Sequence, residues 1–165
     1  MRRVVQFRTP RYNCRHSVPV NRRSSALPAA RSFTTQITIN ASARRVYDAF
    51  VNPAAQVYWY TNDAHMNLQI GGRCQFEWND RRQAYDEFWS LREIKTGQSL
   101  RFGWGNFGRF GGLQAQVAAS FTPLGRHRMR LSLRHTVVRD PDWKVEDYKV
   151  RWRDGLAGLK EFVEV

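Results

Sequence analysis

Asp63 and His65 stand two residues apart. In an extended strand that spacing puts both side chains on one face, where a carboxylate can orient and charge an imidazole for acid–base work. Ala64, Met66 and Leu68 hold the apolar phase between them, so the pattern turns the pair toward solvent. His135 keeps the phase of Met129, Leu131 and Leu133. That places it on the inward face as a polar anchor for a ligand; the alternative is a strand-end residue already in water. Glu93, beside Ile94, is a second candidate anchor, because a few polar groups in an apolar pocket fix ligand orientation. The pattern leaves its facing open. Gly103, Gly105 and Gly108 spell the dinucleotide fingerprint, but Gly111-Gly112 and an alternating strand follow where a helix and a later acid are required. The segment 105–112 reads instead as a flexible hairpin loop, with Phe107 and Phe110 as apolar lid residues. Trp59, Phe76, Trp78, Trp89, Phe102, Trp104, Phe121, Tyr148 and Trp152 supply more bulky apolar surface than a small core usually needs, which points to a lined pocket. The alternative for each ring is simple core filling. No compelling acid–base pair faces inward, so no residue takes a catalytic role and no cofactor is implied. Two cysteines, Cys14 and Cys74, and four histidines form no close cluster, so neither a disulfide framework nor a zinc module is expected.

These residues need elements to position them. Thr35-Gln36-Ile37-Thr38-Ile39 alternates as a strand. Asn40-Ala41-Ser42 offers helix caps, and Val46, Ala49 and Phe50 share one face of a helix over roughly 43–51. Asn52-Pro53 stops that helix and starts a second, which ends in Val57-Tyr58-Trp59-Tyr60. A run of strands follows. Ala64, Met66, Leu68 and Ile70 alternate up to the Gly71-Gly72 turn; Cys74, Phe76 and Trp78 continue the phase. Strands over 84–94 and from Leu100 to Trp104 are joined by Thr96-Gly97-Gln98. Ala115 to Phe121 and Met129 to His135 alternate around Pro123-Leu124-Gly125. Asp140-Pro141-Asp142 starts a long helix on which Tyr148, Trp152, Leu156, Leu159 and Val163 recur at spacings of three and four. Gly155 and Gly158 beside that face imply close backbone approach or open space. The expected class is α+β: a curved antiparallel sheet of about seven strands wrapped around a long C-terminal helix, with two short helices after strand 1, the helix-grip architecture.

The net charge is +13. Residues 1–33 carry eight arginines and no Asp, Glu or Lys; the remainder holds 19 basic against 14 acidic residues, a net of +5. The excess therefore sits in a basic head, and the domain, residues 34–165, gives no nucleic-acid signature. Nothing approaches a membrane-spanning run, so no integral membrane association is expected. The head resembles a mitochondrial or plastid targeting segment, with Arg31-Ser32-Phe33-Thr34 similar to a matrix processing site cut after Phe33. It implies the mitochondrial matrix, or a plastid. An over-extended gene start in a bacterium, hence a cytoplasmic protein, and a functional basic tail are the alternatives.

The stretch Ile39-Asn40-Ala41-Ser42-Ala43-Arg44-Arg45-Val46-Tyr47-Asp48-Ala49-Phe50-Val51-Asn52-Pro53 resembles the opening motif of START-like (SRPBCC) proteins. Gly71 to Trp78 is similar to their second hairpin. Ser120-Phe121-Thr122-Pro123 resembles their strand end, and Trp152 to Lys160 their terminal helix. The resemblance runs over roughly 35–164 and is strongest to the C-terminal domain of Aha-type activators of the ninety-kilodalton heat-shock chaperone, not to their separate N-terminal domain. Tyr47 stands where Trp is usual, and Arg45 removes the acid that would complete a capping box. The resemblance implies a hydrophobic small molecule or lipid held between sheet and long helix. Phe76, Trp78, Phe102, Trp104, Phe121 and Trp152 would enclose it, and His135 or Glu93 would fix its polar end. It equally allows a co-chaperone-like module whose outer arginines (Arg128, Arg130, Arg134, Arg151) meet an acidic partner. A cyclase or dehydratase-type enzyme is the third reading, because fold does not give function.

Overall fold

The computed structural model describes residues 31–80, 83–106, 113–138 and 145–165. Strand β1 (Arg31–Ile39) leads into helices α1 (Ala43–Val51) and α2 (Pro53–Trp59). Six strands follow, β2 (Asp63–Met66), β3 (Arg73–Asp80), β4 (Gln83–Lys95), β5 (Ser99–Asn106), β6 (Leu113–Gly125) and β7 (Arg128–Val137), and helix α3 (Val145–Val163) closes the chain. The strands form one antiparallel sheet in the order β1-β7-β6-β5-β4-β3-β2. Consecutive hairpins build its middle, and β1 returns to pair with β7, Phe33 opposite His135.

Local chemistry fixes the helix starts. Ser42 Oγ accepts the Arg45 N–H at 3.2 Å, capping α1. Asn52 Oδ1 accepts from Ala54 and Ala55, and Pro53 fills the first helical position of α2, where its missing N–H costs nothing. The apolar phase of each strand faces the helices. Ile39, Cys74, Phe76, Trp89, Leu91, Leu100, Phe102, Met129, Leu131 and Leu133 are all fully buried there or nearly so. Arg73, Gln75, Arg101, Gln116, Arg130 and Arg134 are exposed on the opposite face. One face of the sheet is dry and one wet, as the alternation implies.

Two elements differ from the sequence expectation. The strand expected to run to Ile70 stops at Met66, leaving Leu68 and Ile70 exposed, Ile70 at 73%. Residues 67–72 fold back on themselves: the Gly72 N–H donates to Gln69 O at 2.8 Å, and the Leu91 N–H donates to Gly72 O at 2.9 Å. A Cβ at Gly72 would lie 2.2 Å from Asn67 O, so glycine permits the turn that ends the strand. At the other edge β1 begins at Arg31, four residues before the alternation that signals it. Arg31-Ser32-Phe33-Thr34 is thus paired strand, with the Phe33 ring buried.

Candidate functional site

The inward side chains near the start of α3 form a polar cluster inside an aromatic shell. Glu87 on β4 is fully buried. Its Oε1 accepts the Tyr60 hydroxyl and the Trp89 indole N–H, the latter at 2.9 Å. Its Oε2 pairs with the Arg151 guanidinium from α3. Three donors on one carboxylate offset the large cost of burying that charge. Arg151 also lies against aromatic faces, its guanidinium carbon 4.5 Å from the Trp78 ring centre, 5.6 Å from Trp104 and 5.7 Å from Tyr60. A cation so placed is stabilised by ring electrons as well as by its anion.

His135, on β7, is fully buried beside this pair. Its Nδ1 accepts the Trp152 indole N–H at 3.1 Å. Burial first, then the Arg151 charge, pushes its pKa from 6.5 down to about 3. The ring is therefore neutral near pH 7, and with Nδ1 accepting, the proton sits on Nε2. Nε2 has no hydrogen-bond partner among the described residues. Rings surround it: Phe33 stacks at 5.3 Å between centroids, Tyr148 lies at 4.9 Å, and Trp104 meets it edge-on at 5.8 Å.

The structure brings Trp78, Trp104, His135, Tyr148 and Trp152 together around Glu87 and Arg151. Phe76 and Phe102 lie one layer deeper, against Trp89 at 4.4 and 4.2 Å. Trp59 and Phe121 belong to the other end of the core. Trp59 donates its indole N–H to Ala49 O, and Phe121 meets Tyr47 and Phe50 edge-on. Asp63 and His65 are exposed, as the phase of their strand requires. Phe107 and Phe110 lie outside the described residues.

Two expectations are corrected. Glu93 is not an interior anchor. A bulge between Leu91 and Glu93 shifts the register, so Leu91 faces Phe102 while Glu93 faces Arg101 on the wet side. There it bridges Lys95 at 3.4 Å and Arg101 at 3.7 Å. Arg151 is not an outer-face arginine. Its position on α3, three residues after Tyr148 and one before Trp152, turns it toward Glu87. Glu87 and Tyr60 went unassigned in the sequence. The signal was there for Glu87, which shares the phase of Trp89 and Leu91.

Cys74 is buried and its thiol is pushed up to about 11 by desolvation, so it is an inert core group. Among the described residues no cluster of three His, Cys, Asp or Glu could hold a metal ion. No described helix is long and apolar enough to cross a membrane.

The family described as activator of Hsp90 ATPase homolog 1-like protein matches residues 40–164. The chain belongs to that family. The match to this activator-homolog family covers α1 through α3, hence nearly every residue of the polar cluster. Solved structures agree on the START-like fold. Protein CV1439 from Chromobacterium violaceum superposes with a TM-score of 0.70 at 19% identity, covering 82% of this chain and 99% of that one. The Aha1 dimer from Colwellia psychrerythraea gives 0.66 at 13% identity, covering 81% and 96%. CalU16 from Micromonospora echinospora gives 0.63 at 18% identity, covering 81% and 76%. No curated protein matches the chain.

Proposed function

We propose that this activator-homolog domain binds a small apolar molecule carrying a neutral hydrogen-bond acceptor, held between the sheet and the first half of α3. The observation that carries this reading is the His135 Nε2–H: a fully buried donor with no partner among the described residues, walled by Phe33, Trp104 and Tyr148. Leaving such a donor unmade costs about 1–3 kcal/mol, and a carbonyl or hydroxyl oxygen of a ligand would recover it. The neighbouring charges already satisfy each other, Arg151 with Glu87, so a neutral acceptor suits the site better than an anion. Rings supply flat apolar walls for the ligand body.

Native mass spectrometry of the full chain, followed by solvent extraction, tests this. A copurifying adduct of small-molecule mass, lost in His135→Phe with the fold retained, is the expected result. A bare mass that stays bare after incubation with a lipid and metabolite extract overturns it.

The family match supports a second reading, a protein-interaction module acting on a heat-shock chaperone. Arg128, Arg130 and Arg134 are exposed along β7 and offer an acidic partner a basic strip. This reading expects salt-sensitive binding and an altered chaperone ATPase rate. An unchanged rate at low salt with excess protein removes it.

A further inference from the structure

The wet face of the sheet holds a second candidate site, independent of the interior one. A cleft of about 420 Å³ lies over β4 to β7, lined by Arg92, Arg101 and Arg134 together with Glu93, Gln116 and Thr136. The strand register shows how it forms. Arg101 on β5 and Arg134 on β7 both pair with Ala118 on β6. Two strand spacings, about 9–10 Å, separate their backbones, and the methyl group between them leaves the space above it open. The adjoining row places Gly103 opposite Gln116, and Gln116 opposite Thr136. With no side chain at Gly103, this row deepens the floor and leaves two polar groups at its side.

The bulge between Leu91 and Glu93 completes the ring of charge. It adds Arg92 to the cleft lining and brings Glu93 opposite Arg101. Bulges re-aim side chains in this way and are frequent beside functional sites. Three guanidiniums from three strands thus line the cleft with one carboxylate. That carboxylate is shared between Lys95 and Arg101 at 3.4 and 3.7 Å, both longer than a tight charge-assisted hydrogen bond. Arg92 and Arg134 make no hydrogen bond or ion pair among the described residues. Like charges gathered on a rigid sheet repel one another, and an anion between them would relieve that repulsion.

We propose that this cleft binds a small soluble phosphorylated anion. Guanidinium forks match phosphoryl oxygens in pairs. The volume is that of a small-molecule site. Gln116 and Thr136 offer additional hydrogen bonds. Residues 1–33 contain no acid, so the basic head offers the cleft no counter-charge.

The test is an NMR titration of the full isotope-labelled chain with inorganic pyrophosphate at low salt. The expected result is saturable one-to-one binding, with shifts centred on the amides of Gly103, Gln116, Ala118 and Thr136. Arg101→Gln and Arg134→Gln each weaken it about tenfold, one charge-assisted contact apiece. Glu93→Gln tightens it, since it removes the competing carboxylate. Arg153→Gln, an exposed arginine on α3 away from the cleft, leaves it unchanged. These side chains are on the wet face, so unchanged dispersion of the interior tryptophan signals confirms folding. Shifts confined to the head, losses equal in Arg153→Gln, or binding to phosphatidylserine vesicles without binding to pyrophosphate each overturn the assignment.

Discussion

The two halves of α3 solve the same packing problem with different chemistry. The second half is apolar where it faces the core. Leu156, Leu159 and Val163 are buried, and Gly158 sits against Trp59. Its end is tied down by surface contacts: Lys160 Nζ donates to Thr38 O at 2.9 Å, and the Asn40 N–H donates to Glu164 at 2.6 Å. The first half meets the sheet through Tyr148, Arg151 and Trp152, and behind them lie a buried carboxylate and a buried imidazole. Where it faces the core, the second half needs no particular protonation state. The first half depends on one. A helix that served only as a lid on the core would have no use for that dependence.

The comparison can be broken most sharply at Glu87. Glu87→Ala leaves Arg151 without its anion and strips the Tyr60 and Trp89 donors of their acceptor. It should cost about 3–5 kcal/mol in denaturant unfolding. Glu87→Gln retains an acceptor but no charge, so its own loss relative to the wild type measures the ionic part, and the gap between the two variants measures the hydrogen bonding and packing. In the apolar half, Leu159→Ala should cost about 2–5 kcal/mol through transfer and cavity terms. That loss should be the same at pH 5 and pH 8, whereas a pH-dependent loss would erase the contrast between the halves.

The third test is protonation itself. His135 is neutral in the folded chain down to about pH 3, while the unfolded chain protonates it near 6.5. Between those values the unfolded state binds the extra proton, so stability rises with pH and falls as acid is added. The contribution is about 1.4 kcal/mol per pH unit inside that window. Measured from pH 6.5 to 5, the slope should be shallower in His135→Phe by that amount. An equal slope in both proteins would mean that the imidazole is already charged when folded. The smallest effect is expected at the glycines. A Cβ at Gly155 would meet Tyr60 and Trp59 ring carbons at 3.7 and 3.8 Å. Gly155→Ala should therefore stabilise by about 0.5–1 kcal/mol through helix propensity. At Gly158 the same methyl would lie 3.4 Å from the Trp59 carbonyl oxygen, and thermal melts should show a smaller gain there.

The sheet and its dry face were legible because period-two alternation is a local signal that burial enforces residue by residue. His135 could be placed inward by the same logic, three alternating apolar partners before it. Glu93 could not, because a bulge inverts the phase, and its signature is a pairing irregularity rather than a residue type. The polar cluster was legible only in part. Glu87 carries the phase of Trp89, but its distant partners come from the C-cap of α2 and from α3, 27 residues before it and 64 after it. Short-range pattern holds no information about which distant donor will meet a given carboxylate. The early end of β2 was hidden for a related reason. Leu68 and Ile70 keep strand alternation, and the close approach at Gly72 that stops the strand is visible only once the chain has turned.

Tryptophan supplies much of this interior, and that has an optical consequence. Trp59, Trp78, Trp89, Trp104 and Trp152 are all buried, and Tyr60 touches four of these rings or their neighbours within 5.8 Å. At such separations excitation absorbed by one ring passes readily to the next. Two of the indoles hand their N–H to the polar cluster, Trp89 to Glu87 and Trp152 to His135. Light emitted by the folded chain therefore carries the local field of a carboxylate and an imidazole, and a change of charge or occupant at either would shift its colour without any added label.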